Sequence, residues 1–159
     1  MMLHALVTGG AGFIGSYLCE ELAKRGHDVS IIDNFSAGSK GNIQHLLNDS
    51  ANRVHLFVGD CTRARDLVKA LKGTDIVFHF AASPEVRLEL TDSKTCFRQN
   101  VYATYILLEA MRSGCAKKIV FASTSTVYGD AKVIPTPENY GPLVPISVYG
   151  ASKLSSEAM

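Results

Sequence analysis

Apolar runs and segments of helical period alternate along this chain. Residues 3–8 form a short apolar run of the kind a buried strand needs. Residues 14–25 repeat apolar positions at helical spacing, with Ile14, Leu18, Leu22 and Ala23 on one face. Gly26 predicts the end of that helix. The cycle recurs with strands over 29–32 and 54–58, a helix over 66–71 and a strand over 76–80. A long helix over 93–112, ended by Gly114, and a fifth strand over 119–122 complete it. Nearly continuous apolar strands separated by helices imply a parallel sheet covered on both faces. The expected fold class is therefore α/β, a doubly wound parallel sheet. Two stretches break the rhythm. Residues 34–42 are rich in Ser, Gly and Asn, and residues 129–146 carry Pro135, Pro137, Pro142 and Pro145, so both are expected to be loops of a length that is usually functional. Residues 149–159 read as a helix with no stop signal before the last residue, as in a chain cut inside an element of a longer protein.

Composition narrows the function classes. The chain has 159 residues, 47% of them apolar and 19% charged, which suits one globular domain with a substantial core. A net charge of +1, with Lys117-Lys118 the longest basic run, offers no field for a polyanion, so no nucleic-acid partner is expected. Four cysteines (Cys19, Cys61, Cys96 and Cys115) show no Cys-x-x-Cys pair and no short spacing to the five histidines. Free thiols in a reducing cytoplasm are expected, with neither a metal site nor a disulfide framework. No stretch is long and apolar enough to span a bilayer and no leader pattern precedes the first strand, so a soluble protein without a membrane partner is expected.

The turn after the first strand carries chemistry. Thr8-Gly9-Gly10-Ala11-Gly12-Phe13-Ile14-Gly15 places glycines where a dinucleotide pyrophosphate would sit. Glycine there permits a tight turn, close backbone approach and close helix-on-strand packing, while unpaired N–H groups at the helix start attract phosphate. Asp33, ending the second strand, could accept both adenosine ribose hydroxyls and would repel a 2′-phosphate, favouring NAD over NADP; its alternative role is capping a turn. Asp60 could bind the adenine amino group with the Cys61 backbone, or cap its own loop. In Tyr149-Gly150-Ala151-Ser152-Lys153 a phenol and an ammonium lie one helical turn apart, so both project from one face and the cation, aided by a positive nicotinamide, could hold the phenol nearer ionisation. Such a phenol can exchange a proton with an alcohol. Tyr128 and Lys132 share the spacing, but Gly129-Asp130 between them reads as a turn. Ser123-Thr124-Ser125-Thr126 follows the fifth strand at the sheet edge where open α/β proteins bind ligands, and could bond a substrate oxygen or simply form a turn. His79 reads as a packed histidine rather than a base.

Taken together, the motif at 8–15, Asp33-Asn34, Asp60, His79-Phe80-Ala81-Ala82, Asn100-Val101, Ser123-Thr124 ahead of Val127-Tyr128-Gly129, and the Tyr149/Lys153 pair resemble the extended short-chain dehydrogenase/reductases. Their order spans the whole chain. Within that family, Val86-Arg87, Leu107-Leu108-Glu109-Ala110 and Thr126-Val127-Tyr128-Gly129 look closest to the UDP-glucose 4-epimerases, while Val148 stands where many relatives have proline and Ser83-Pro84 departs from the common epimerase loop. The resemblance implies a Rossmann fold truncated before the substrate domain, bound NAD and a UDP-hexose substrate. It implies that Gly9, Gly12, Phe13, Ile14 and Gly15 meet the pyrophosphate, Asp33 and Asn34 the ribose, and Asp60 and Cys61 the adenine. Phe80, Ala81, Ala82 and Ser123 would line the cofactor, with Asn100 supporting the site. Tyr149 would be the base, Lys153 its partner, and Thr124 the hydroxyl that meets the sugar. It further implies a homodimer packed through the helices at about 93–112 and from 149 onward, a sugar-specifying carboxyl-terminal domain absent here, and an inactive isolated piece with an exposed apolar edge. Sugar 4,6-dehydratases carry Asp-Glu after the threonine where this chain has Ser125-Thr126, which favours the epimerase; a decarboxylase or a 4-reductase stays open. A non-catalytic nucleotide sensor is the reading from another class, and Thr124, Tyr149 and Lys153 together argue against it.

Overall fold

Five strands pair in parallel: β1 (His4–Thr8), β2 (Asp28–Asp33), β3 (Val54–Val58), β4 (Ile76–His79) and β5 (Lys118–Phe121). Their spatial order is β3-β2-β1-β4-β5, so the winding reverses between β1 and β4. This is the expected doubly wound sheet, and a reversal of this kind opens a ligand crevice at the carboxyl ends of the strands. The computed structural model describes residues 2–49, 51, 53–84, 92–114 and 116–159; Val86, Arg87 and Cys115, all named above, lie outside the described residues.

The chain divides into two compact units. The first, Met1–Ala81 with Ile106–Ala122, holds the sheet; the second is Ala82–Tyr105 with Ser123–Met159. In the first unit the central strands explain their continuous apolar runs. Ala5, Leu6 and Val7 of β1 and Val29, Ile31 and Ile32 of β2 are fully buried. Coverage is thinner at the borders: Val58, Ile119 and Val120 are exposed, while Val54 and Leu56 of β3 are partly buried against the core cluster. Helix α1 (Phe13–Lys24) packs on this sheet and ends before Gly26, whose φ of +76° is the left-handed conformation a helix stop uses.

The helical expectations need three corrections. Ile14 does not belong to the buried face of α1. It is 61% exposed, and the inward residues are Gly15, Ser16 and Cys19, with Leu18 and Leu22 partly buried. The first turn of α1 lies so close to the strand backbone that only small residues fit beneath it. Secondly, the 34–42 loop ends in a 3₁₀ turn, Lys40–Asn42, capped by the Ser39 hydroxyl, and leads into an unforeseen helix, α2 (Gln44–Asn48). Five residues are too few to display a period, although Leu46 and the preceding Ile43 are buried. Helix α3 (Ala64–Ala70) sits close to its expected place. Thirdly, the long helix over 93–112 is interrupted. It consists of α4 (Ser93–Cys96), a π-helical turn (Phe97–Tyr102) and α5 (Ala103–Ser113). One extra residue per π turn leaves the apolar spacing looking helical while changing which groups point inward. Residues 129–146 form the expected loop, and α6 (Val148–Glu157) follows, capped by Ser147.

Ile31 is fully buried in a cluster with Val7, Cys19, Val29 and Leu46. Ile31→Ala should lower the stability of the folded chain by about 2–5 kcal/mol. In urea the midpoint should fall with an unchanged slope.

Candidate active site

In the first unit the chain leaves β1 through a turn that only glycine satisfies. Gly9 has φ +68°, and a β-carbon there would lie 2.7 Å from the Ala81 nitrogen. On Gly15 a β-carbon would come within 2.3 Å of the Gly9 carbonyl oxygen, and on Gly10 within 2.7 Å of Ile31 Cγ2. Gly12 differs. Its β-carbon would meet only the Gly9 oxygen, at 3.1 Å, a tight contact that a small shift relieves, so the fold demands glycine less there than at Gly9 or Gly15. A tight turn, an open backbone approach and a close helix-strand contact are the three roles a pyrophosphate-binding glycine turn needs. Gly12 stands at the start of α1 without a side-chain cap and with no acidic residue in the first turn, so the leading N–H groups of Phe13, Ile14 and Gly15 keep their affinity for an anion. This donor set fits a dinucleotide.

Surrounding groups hold the turn. Asp33 Oδ2 accepts the Ala11 N–H at 2.9 Å, and Oδ1 accepts that of Phe35 at 2.8 Å. The Ala11 carbonyl in turn accepts from Asn42 Nδ2 and from the Ser39 N–H, at 2.9 and 3.0 Å. The sequence did not single out Gly10, Ser39 or Asn42, because their role depends on which loop folds over which turn. Asn34 Nδ2 donates to Asp60 Oδ2 at 3.3 Å, and Asp60 Oδ1 accepts from both the backbone and the hydroxyl of Thr62, at 2.8 Å each. Partial burial pushes the Asp60 carboxyl up, but these hydrogen bonds outweigh it and hold it below the ordinary range. The Cys61 thiol is pushed up to about 12, first by burial and then by Asp60, so it is no nucleophile. His79 is packed, as expected: it is 1% exposed, its Nδ1 lies 2.6 Å from Thr8 Oγ1, and its ring meets Phe121. The Thr8 hydroxyl also accepts the Ala81 N–H at 3.1 Å, which fixes the strand end at Phe80 and Ala81.

The second unit assembles the hydroxyls and the phenol. Thr124 opens a 3₁₀ turn (Ser125–Tyr128); its Oγ1 accepts the Thr126 N–H and lies 3.1 Å from Thr126 Oγ1. The exposed Ser123 hydroxyl donates to Glu157. Helix α6 carries Tyr149 and Lys153 one turn apart. Its first turn reaches the Thr124 turn because residue 150 is glycine, where a β-carbon would lie 2.8 Å from the Thr126 carbonyl oxygen. Gly150 is a further residue the sequence did not single out. The Tyr128/Lys132 spacing is no helical face: Gly129 has φ +65°, the Tyr128 ring packs edge-on against Tyr140, and the Lys132 N–H donates to the Tyr140 hydroxyl. Asn100, 2% exposed, exchanges hydrogen bonds with the Ser83 peptide and donates to Ser152 Oγ on α6. It thus supports α6 from the π turn.

One electrostatic expectation is corrected. The Tyr149 phenol is raised above its ordinary value, by burial first and by the Cys96 thiol second. Lys153, 3% exposed, is pushed down to about 8 by the same burial, against a smaller opposing effect of Cys96. Burial penalises both charged forms in the cofactor-free chain, so the ammonium alone does not bring the phenol toward ionisation.

A glycine turn at the first crossover of a 3-2-1-4-5 sheet, with a Tyr/Lys helix following the fifth strand, defines a Rossmann module of the extended short-chain dehydrogenase/reductase type. A family model described as GDP-mannose 4,6 dehydratase matches residues 6–159, and the chain belongs to this NAD-dependent epimerase/dehydratase family. It is 37% identical over 153 residues to a UDP-glucose 4-epimerase of Corynebacterium glutamicum, a match covering 96% of this chain and 44% of the relative. It is 41% identical over 129 residues to a UDP-N-acetyl-alpha-D-glucosaminuronate decarboxylase of Bacillus cytotoxicus, covering 81% of this chain and 39% of that protein. The crystal structure of UDP-glucose 4-epimerase from Brucella ovis in complex with NAD superposes with a TM-score of 0.88 at 32% identity, over 98% of this chain and 46% of that one. The chain spans about half the length of the curated relatives it matches. No helix among the described residues is long and apolar enough to cross a membrane, and no cluster there could hold a metal ion.

The depressed lysine has a consequence for stability. Between about 8 and its ordinary 10.5, the unfolded chain keeps a Lys153 proton that the folded chain has lost. Lys153 should therefore add stability as pH rises through this window, while the Cys19 and Cys61 thiols, raised from 9.0 to about 12, oppose it above about pH 9 and the raised Tyr149 phenol above about pH 10. In cofactor-free protein, the change in urea midpoint between about pH 7 and about pH 8.5, below the opposing titrations, should be more favourable in the parent than in Lys153→Met, which lacks the Lys153 contribution.

Proposed function

We propose that the protein interconverts UDP-glucose and UDP-galactose by reversible oxidation at sugar carbon 4, with NAD as its resident cofactor. The observation that carries the reading is the buried Lys153 one turn from Tyr149 on α6, a helix whose Gly150 packs against the turn headed by Thr124. When bound, NAD supplies two-electron oxidation and reduction at that carbon. Backbone N–H groups of Phe13, Ile14 and Gly15 would hold the pyrophosphate above Gly9, with Gly12, whose own N–H donates to the Gly9 carbonyl, letting it approach the backbone, and Asp33 with Asn34 would take the adenosine ribose. Each Asp33 oxygen accepts one backbone N–H and keeps a second acceptor position, and its charge disfavours a 2′-phosphate. Asp60 and Cys61 would meet the adenine, and Phe80, Ala81, Ala82 and Ser123 the remaining cofactor surface.

Tyr149 Oη takes the 4-hydroxyl proton as the alcohol is oxidised and returns it when the ketone is reduced. Thr124 Oγ1 bonds the same sugar oxygen and fixes its place. With its pKa near 8, Lys153 stays mostly protonated at neutral pH and supplies the positive charge that an ionised phenol requires. Reduction of the keto sugar on its opposite face inverts the carbon. Ser125-Thr126 after Thr124, in place of an acid pair, supports epimerisation over dehydration. A decarboxylase is the second reading, favoured by the Bacillus cytotoxicus relative. The proposal carries with it a homodimer and a cytoplasmic location, as the family resemblance implies.

In the intact protein, Tyr149→Phe should lower turnover of UDP-glucose and UDP-galactose by about 10²- to 10⁴-fold while NAD stays bound. Gly12→Ala should fold with a small local shift at the Gly9 carbonyl, checked by its melting temperature, and should lose NAD affinity. Product analysis with each UDP-sugar distinguishes the readings. Inverted sugar supports the epimerase, and released carbon dioxide from a UDP-sugar acid would replace it by the decarboxylase.

A further inference from the structure

Ser152 lies on the same flank of α6 as the Tyr149/Lys153 pair, and every bond of its hydroxyl is used. Oγ accepts from Asn100 Nδ2 at 2.9 Å and from the Cys96 thiol at 3.5 Å, and it donates to the main-chain carbonyl of Tyr149 at 2.7 Å. Cys96, Asn100 and Ser152 are 5%, 2% and 5% exposed, so water does not compete for these bonds. The anchor is rigid. The Asn100 side chain is held by the Ser83 peptide on both sides, and its own carbonyl accepts from Thr104 Oγ1 at 2.6 Å and from Ser156 Oγ at 3.3 Å. One hydroxyl therefore links the peptide of Tyr149 to a fixed amide in the π turn.

We propose that Ser152 is a positioning residue for the reaction: its hydroxyl sets the rotation of the first turn of α6, and hence the aim of Tyr149 and Lys153. The inference rests on the catalytic reading given above. Ser156 provides the comparison. It is equally buried on the same face, yet its hydroxyl bonds only Asn100 O and Ser152 O, carbonyls that other donors can satisfy.

The test measures kcat, KM, NAD affinity and melting temperature in the intact, NAD-loaded protein for Ser152→Ala, Ser152→Thr and Ser156→Ala, with Tyr149→Phe alongside. Misaiming a reacting group by a fraction of an ångström to 1 Å costs about 10- to 100-fold in rate. Ser152→Ala should lose that much kcat with KM and NAD affinity within about threefold of the parent, Ser152→Thr should recover most of it, and Ser156→Ala should keep kcat within about threefold. Ser152→Cys, which fills the same space with a weak hydrogen-bonding group, should show the same kcat loss and keeps the comparison in place if the alanine variant does not fold. If Tyr149→Phe loses turnover but Ser152→Ala and Ser152→Cys keep it, the positioning role is overturned alone. Equal kcat losses in Ser152→Ala and Ser156→Ala also overturn it, since they would report only a loosened helix. Turnover surviving in Tyr149→Phe overturns the catalytic reading and the positioning role with it.

Discussion

Gly15 and Gly9 approach so closely that a single β-carbon on Gly15 would lie 2.3 Å from the Gly9 carbonyl oxygen, and the first unit is built around this backbone contact. It draws the start of α1, whose leading N–H groups are unpaired as at any uncapped helix start, onto the end of β1. It also explains why the inward face of the helix begins with Gly15 and Ser16 while Phe13 and Ile14 remain outside. The neighbouring chain then conforms. Asp33 and Asn42 grip the two sides of the Ala11 peptide, so β2 and the loop after it hold the turn in place.

Backbone approach governs the second unit too, but buried hydroxyls and amides do most of the fastening. Gly150 allows α6 to meet the Thr126 carbonyl, and the serines of α6 engage Asn100 where the π turn exposes its amide and carbonyl. Polar networks of this kind hold one geometry when every member is satisfied, and they are costly when one is not. The cationic side chain in that setting is held partly against its preference for water, which is why Lys153 titrates near 8.

The sheet was legible in the sequence because buried parallel strands are written as plain apolar runs; all five appear within a residue or two of their expected bounds. Glycine spacing and the Tyr/Lys interval were legible for a similar reason, since both are short-range patterns with one local geometry. What escaped was set by tertiary contacts. Ile14 carries the right periodicity for the core, but the close approach of Gly15 to the Gly9-Gly10 turn fixes Gly15 and Ser16 on the inward face and leaves Ile14 61% exposed. Helix α2 is shorter than the window in which a period can be seen, and the π turn inserts a residue without disturbing the apolar rhythm. Gly10, Asn42, Gly150 and Ser152 look ordinary along the chain, and their importance follows only from what lies across from them. The phenol expectation missed for a related reason: a cationic neighbour is visible as spacing, whereas the burial that raises the phenol in the cofactor-free chain is not.

Cys19 packs beneath the same turn, with its sulfur 3.2 Å from where a Gly10 β-carbon would stand, and burial pushes its thiol up to about 12. Because the thiolate is the reactive form, electrophilic labels and mild oxidants at neutral pH find almost none of it while the turn stays shut. The rate at which such a label reaches Cys19 then measures how often the core beneath the first crossover opens, a built-in clock for local unfolding there.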